Sequence, residues 1–341
     1  MSEKVMVVTA VVFCFVVMVV FSASSALAQS QPIKMKYSLF WPAPHACTKT
    51  ATEWAKEIEK RTNGRIRITM FPGATLTPAD MCYDGVVKGI SEIGSSVLSY
   101  TRGRFPLMAA IDLPLGFKSA LQATTILNNI NKNFKPKELD DVKVMYFMSH
   151  GPGVIHTKKP VYKLEDLKGM KLRSSGTVAK ISAALGAVPV AMPQTETYDA
   201  LSKGVVDGLM SPREVLQGWK FGEVVHNTTL DLGTAYGLDF FIVMNKQKWN
   251  SLPPDIQKII EQINEEWIVR AGKAYDKQDE DALKFVEPMH HNFITLAPEE
   301  QARWTAAVSK VKDEYVESTK AKGLPGDQVL KFVIEELKKS Q

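Results

Sequence analysis

Residues 33–73 read IKMKYSLFWPAPHACTKTATEWAKEIEKRTNGRIRITMFPG, and their pattern decides the fold class. Ile33–Phe40 is strand-like, and Trp41-Pro42-Ala43-Pro44-His45 is a loop. Ala51, Trp54, Ala55 and Ile58 then recur at helical spacing with Glu and Lys residues opposite, an amphipathic helix. Asn63-Gly64 is a helix stop of the left-handed kind. Arg65–Phe71 alternates like a half-buried strand, and Pro72-Gly73 ends it. Strand, helix, strand at this spacing is a βαβ unit, which implies parallel strands with helices on the sheet faces.

The same alternation continues along the chain. Pro78–Gly89 reads as a helix, followed by a short strand at Ile93–Leu98. Val142–Met148, Met170–Arg173 and Val206–Met210 read as strands, with helices at Val178–Leu185 and Thr195–Lys203 closed by Gly186 and Gly204. Phe240–Met244 (FFIVM) is a strictly apolar strand. Pro254 and Asp255 then open an amphipathic helix that runs past Trp267 towards Ala282. From Pro298 the tail is helical and charged, broken at Gly323-Leu324-Pro325-Gly326. No internal repeat, low-complexity tract or flexible linker interrupts the sequence, so its parts must be joined by structured crossings.

The N-terminus indicates export. Lys4 precedes an apolar run from Val5 to Phe21, and Ala26-Leu27-Ala28 before Gln29 fits a signal-peptidase site. Residues 1–28 are therefore expected to be a signal peptide cleaved after Ala28. The alternative is an uncleaved anchor, but no basic cluster follows the run as a stop-transfer signal would require. The remainder is long enough for two lobes. At 45% hydrophobic and 23% charged residues the composition is that of a globular protein. The formal charge of +5 is spread without a basic block and gives no support to nucleic-acid binding. Beyond the signal only Cys47 and Cys82 remain, an even pair in an oxidising compartment and on neighbouring loops. A disulfide between them is expected; the alternative is two separate buried thiols.

Open α/β sheets bind ligands outside the carboxyl ends of their strands. Two such lobes would enclose a ligand between them and close by a hinge, the architecture of periplasmic binding proteins. No G-x-S-x-G, Walker loop, G-x-G-x-x-G or paired catalytic carboxylates stand out, so an enzyme is not expected. His150 with His156, and His290-His291, match no zinc spacing, so neither metal nor cofactor is expected.

Several stretches carry a resemblance to a known family. They include Trp54-Ala-Lys-Glu-Ile, Thr62-Asn-Gly-Arg-Ile, Phe71-Pro-Gly, Gly85-Val-Val-Lys-Gly-Ile and Leu113-Pro-Leu. Further on come Leu164-Glu-Asp-Leu-Lys-Gly-Met-Lys-Leu-Arg173, Tyr198-Asp-Ala-Leu-Ser-Lys-Gly-Val-Val-Asp-Gly208 and Trp249-Asn-Ser-Leu-Pro-Pro-Asp-Ile. In this order and spacing the chain resembles the solute receptors of tripartite ATP-independent periplasmic (TRAP) transporters, the DctP-type family. The resemblance implies a periplasmic, two-lobed α/β receptor with a hinge, a ligand cleft and one long helix along both lobes. It also implies delivery of a small organic acid to a small and a large membrane subunit. A monomer is expected, with lobe I at residues 29–151 plus 238–277 and lobe II at 152–237 plus 278–341.

The resemblance places the carboxylate-gripping arginine at Arg173, where a planar guanidinium offers two parallel charge-assisted hydrogen bonds. Ser211 falls where sialic-acid-type relatives carry an asparagine, and Gln194 at a ligand-contacting position. Arg213 is a candidate second cation. Relatives that take sugar acids carry a second arginine where this chain has His150-Gly151-Pro152-Gly153-Val154. Their polar contacts near Ser96-Val97 and Phe40-Trp41 are also replaced. With Phe40, Trp41, Tyr100 and Tyr236 near the expected mouth, the sequence favours a monocarboxylate with an apolar or aromatic body. His150 is a candidate hydrogen-bond partner. A dicarboxylate receptor, or a receptor that serves a signalling protein, is the alternative.

Overall fold

The computed structural model describes residues 31–231 and 233–339, so the expected signal peptide lies outside the described residues. Eleven strands are described: β1 (Ile33–Leu39), β2 (Ile66–Phe71), β3 (Ile93–Val97), β4 (Val142–Met148), β5 (Val154–Thr157), β6 (Lys171–Arg173), β7 (Val188–Val190), β8 (Gly208–Ser211), β9 (Asn227–Leu230), β10 (Phe240–Asn245) and β11 (Asn292–Thr295). They form a five-stranded sheet ordered β2-β1-β3-β10-β4 and a six-stranded sheet ordered β11-β9-β5-β8-β6-β7. Each sheet with its helices is one lobe. The chain changes sheets three times, between β4 and β5, between β9 and β10, and between β10 and β11.

The expected parallel core is present, but both sheets are mixed. β1 runs parallel to β2 and β3, while β10 lies antiparallel between β3 and β4. In the second sheet β6 is parallel to β7 and β8, and β5 is antiparallel to β8 and β9. The position of β10 explains its composition. A central strand covered on both faces has no polar side, and Phe240 to Met244 are all buried.

The first helix (Ala46–Arg61) buries Trp54, Ala55 and Ile58, as its periodicity predicts. A second helix in the same lobe, Ala120–Phe134, is capped by Ser119, whose hydroxyl accepts from the Gln122 N–H. Both pack on the long helix, Pro254–Val286, which at 33 residues spans about 50 Å. Trp54 Nε1 donates to Asn264 Oδ1 at 3.0 Å, and Trp267 Nε1 donates to the Thr50 carbonyl at 3.1 Å. Asp276 accepts the Ala120 and Leu121 N–H groups at the start of the 120–134 helix. One turn on, Asp279 accepts the Glu214 N–H of the other lobe at 2.8 Å. The long helix thus ties both lobes by specific side chains.

The expected disulfide is not formed: Cys47 and Cys82 are both free and buried. Cys47 sits on the inner face of the first helix and follows it towards the long helix, where Gln278 Nε2 lies 3.6 Å from its sulfur. Cys82 begins the short helix Cys82–Val87 under β3, and its thiol points to the carbonyls of Ser38 and Ser95. The two residues thus lie on different helices, and their sulfurs face different partners. Burial pushes both thiols up, to about 11 for Cys82.

Candidate functional site

The carboxyl ends of the parallel strands converge on a cavity between the lobes. From the first lobe come Phe40, one residue past β1, and Tyr100, just past β3. From the second come Arg173 at the end of β6, Ser211 at the end of β8, and Gln194 after β7. Phe240 enters at the same level because β10 is antiparallel and begins where its neighbours end. Tyr236 and Leu238, on the crossing between β9 and β10, complete one side. The space between these walls, including the part open to solvent, is about 390 Å³.

Arg173 is 3% exposed and pre-oriented. Its Nε donates to the Met192 carbonyl at 3.0 Å and Nη2 to the Tyr100 hydroxyl at 3.2 Å. A guanidinium has five N–H donors, so three are left for a ligand, Nη1 among them. The Tyr100 oxygen also accepts the Gln194 N–H at 3.0 Å. With both acceptor positions filled from the opposite lobe, the Tyr100 hydroxyl hydrogen is free to point at a bound carboxylate.

Aromatic rings cover the first-lobe side. Phe40 lies 4.3 Å from Trp41 between ring centroids, 6.1 Å from Phe240, and stacks on Trp219 of the other lobe at 5.8 Å. Tyr236 is packed so closely over the backbone that a Cβ on Gly153 would come within 2.3 Å of its ring. Glycine at 153 makes room for that tyrosine.

The structure brings Phe40, Tyr100, Arg173, Gln194, Ser211 and Tyr236 together on the cavity wall. Trp41, Ser96, Val97, His150 and Arg213 are not on it. Trp41 backs Phe40 and Phe240. Ser96 and Val97 are buried within β3, where the Ser96 hydroxyl donates to the Ala79 carbonyl and Val97 pairs with Phe240. His150 stands behind the wall, its ring against Tyr236, Phe240 and Tyr275, and burial pushes it down to about 4. Arg213 is half-buried near Asp279 and Asp276, whose carboxyls it acts on.

Glu214, Trp219 and Phe240 line the cavity without having been singled out in the sequence. The position of Glu214, next to Arg213 and three residues after Ser211, was the available signal. Glu214 is 2% exposed. Its Oε1 accepts from the Tyr275 hydroxyl at 2.8 Å, and its Oε2 lies 3.1 Å from His45 Nε2. Because His45 Nδ1 accepts the Cys47 N–H, Nε2 carries the hydrogen and donates to Glu214. A larger groove adjoins the cavity, with Asp112 and Asp239 on its floor. Burial raises both carboxyls, Asp239 to about 8. Among the described residues no group of three or more potential metal ligands occurs.

Two α/β lobes closing on a buried, pre-oriented arginine define a bilobed receptor for an anionic solute. The model of the bacterial extracellular solute-binding protein family 7 (DctP) matches residues 37–319, and the chain belongs to that family of TRAP solute receptors. It is 27% identical over 301 residues, 86% of this chain and 90% of the relative, to the C4-dicarboxylate-binding periplasmic protein DctP of Rhodobacter capsulatus. A TRAP periplasmic solute-binding protein from Desulfovibrio salexigens, solved as an open complex, is 35% identical with a TM-score of 0.78. That comparison covers 89% of this chain and 95% of the other. A marine metagenome TRAP receptor, specific for aromatic acid ligands and solved with metahydroxyphenylacetate, is 29% identical with a TM-score of 0.86. It is covered over 99% of its length by 90% of this chain.

Proposed function

We propose that this protein is an exported, periplasmic TRAP receptor for a monocarboxylate with an apolar or aromatic body, which it delivers to a small and a large membrane subunit without catalysing a reaction. The observation that carries the ligand class is the contrast around Arg173: one buried guanidinium with donors to spare beside a few polar groups, facing a broad apolar surface of Phe40, Trp219, Tyr236, Leu238 and Phe240. Apolar surface removed from water contributes about 25 cal/mol per Å², which favours a ring or branched chain over a polyol. A sugar acid would leave hydroxyls unpaired against those rings, at a cost for each. The likeness to a receptor specific for aromatic acids supports the same reading. Among the described residues no helix is long and apolar enough to cross a membrane. The lobes are assigned to residues 29–151 plus 238–277 and 152–237 plus 278–341, with the second limit inside the long helix.

The test is a calorimetric panel of an aryl-pyruvate, a branched-chain keto acid, succinate and sialic acid in one buffer. The aryl or branched acid should bind tightest. If succinate or sialic acid does, the apolar-body reading is wrong.

A further inference from the structure

The geometry points to Glu214 as the residue that sets this receptor against dicarboxylates, an inference that rests on Arg173 holding the first carboxylate. Among the described residues that line the cavity, Arg173 is the one basic side chain and Glu214 the one acidic side chain. Glu214 cannot turn away to admit a second anion. Tyr275 and His45 hold its two oxygens at 2.8 and 3.1 Å, and Asp279 holds its main-chain N–H at 2.8 Å. The backbone closes the remaining space: a Cβ on Gly218 would lie 2.5 Å from Glu214 Oε2 and 2.7 Å from His45 Nε2. Both oxygens therefore accept hydrogen bonds, as an ionised carboxylate does, and neither has a hydrogen to offer an anion.

The charge count follows. A monocarboxylate on Arg173 leaves the cavity with the single negative charge of Glu214, already met by two donors. A dicarboxylate adds a second anion with no cation to receive it, beside a buried carboxylate where water screens the repulsion less than at an exposed surface. A ligand bearing a hydroxyl or amide N–H at that end instead finds an acceptor. The contact with His45 also crosses the cleft, since His45 caps the first helix of one lobe and Glu214 follows β8 of the other. Closing the lobes therefore fixes this carboxylate in the site, and selection against the second anion operates in the closed state.

The experiment compares diacids with neutral amides of the same shape: isophthalate with 3-carbamoylbenzoate, and succinate with succinamate. Binding to the full mature chain is measured by calorimetry. On whichever scaffold binds, the wild type should prefer the amide by at least about tenfold, a like-charge penalty of ordinary size. Glu214→Gln keeps the shape and an acceptor for Tyr275, and should shrink that preference at least about fivefold. Equal wild-type affinity for diacid and amide overturns the inference, and so does a preference unchanged in Glu214→Gln. Should that variant fail to fold, Glu214→Ala is read in the same way. Which scaffold binds tighter tests the apolar-body reading separately, because the acid-to-amide ratio is taken within one scaffold. If neither scaffold binds, both ideas fall.

Discussion

The two walls of the cavity are built from different chemistry. The wall that descends from the first sheet presents rings: Phe40 after β1, Phe240 at the start of β10, and Tyr100 after β3. The wall from the second sheet presents polar groups at strand ends, with Arg173, Gln194, Ser211 and Glu214 among them. On the proposed function the difference would divide the work. The second lobe would orient a charged head by directional hydrogen bonds, whereas the first would offer area and tolerate variation in the body. Tyr100 joins the two, because its hydroxyl accepts from Arg173 and from the Gln194 backbone across the cleft. Head-group recognition therefore should be stringent and body recognition graded.

The strongest way to break this comparison is Arg173→Lys. An ammonium keeps the charge but loses the fork and the hold of Met192 and Tyr100. Truncating a buried charged contact costs about 2–5 kcal/mol, so affinity for every acid in the panel should drop at least about tenfold by calorimetry. Unchanged affinity would place the carboxylate elsewhere. A smaller and more selective effect is expected on the ring wall. Phe40→Leu removes the stack with Trp219 and Phe240, and aromatic pairs add about 0.5–1.5 kcal/mol beyond their area. Aryl acids should therefore weaken by roughly two- to tenfold, and branched aliphatic acids by less. Equal losses for both would mean that the ring wall does not read the body.

The least effect on affinity, and a distinct one on stability, is expected from Asp279→Asn. Burial pushes the Asp279 carboxyl up to about 7. Between the ordinary carboxylate range and that value the folded protein holds a proton that the unfolded chain has released. Its contribution is therefore fully present at low pH and is lost as pH rises towards 7. Asparagine keeps the acceptor for the Glu214 N–H and removes the titration. Melting temperatures from pH 4.5 to 8 should fall less steeply in the variant than in the wild type. Identical slopes would mean that the buried carboxyl does not titrate in this window.

Sequence patterning resolved the parts of this fold that are long or strictly periodic. RIRITMF, FFIVM and the run from Pro254 all formed the elements predicted, and the tail breaks at the Gly-Leu-Pro-Gly turn. β5, β7, β9 and β11 escaped, and length is not the whole reason, since β6 and β8 are equally short; Asn-Thr-Thr-Leu or Asn-Phe-Ile-Thr carries no alternation. Their pairing is dictated by neighbours distant in sequence. The helix Ala120–Phe134 has a readable serine cap and apolar stripe, yet went unremarked. At the site, Arg173 was placed by family pattern. Glu214 was not, since its partners His45 and Tyr275 lie 169 and 61 residues away. The Cys47–Cys82 expectation failed for a related reason: both residues fall within helices rather than loops, and what each sulfur faces is set by partners distant in sequence.

The long helix has a mechanical consequence. An uninterrupted rod of 33 residues fastened to both lobes behaves like a leaf spring, since its own backbone bonds must strain before the lobes can wander independently. Flexible tethers would permit a broad spread of open shapes. A continuous rod instead passes any displacement of one lobe on to the other through its own backbone and the Asp276 and Asp279 contacts.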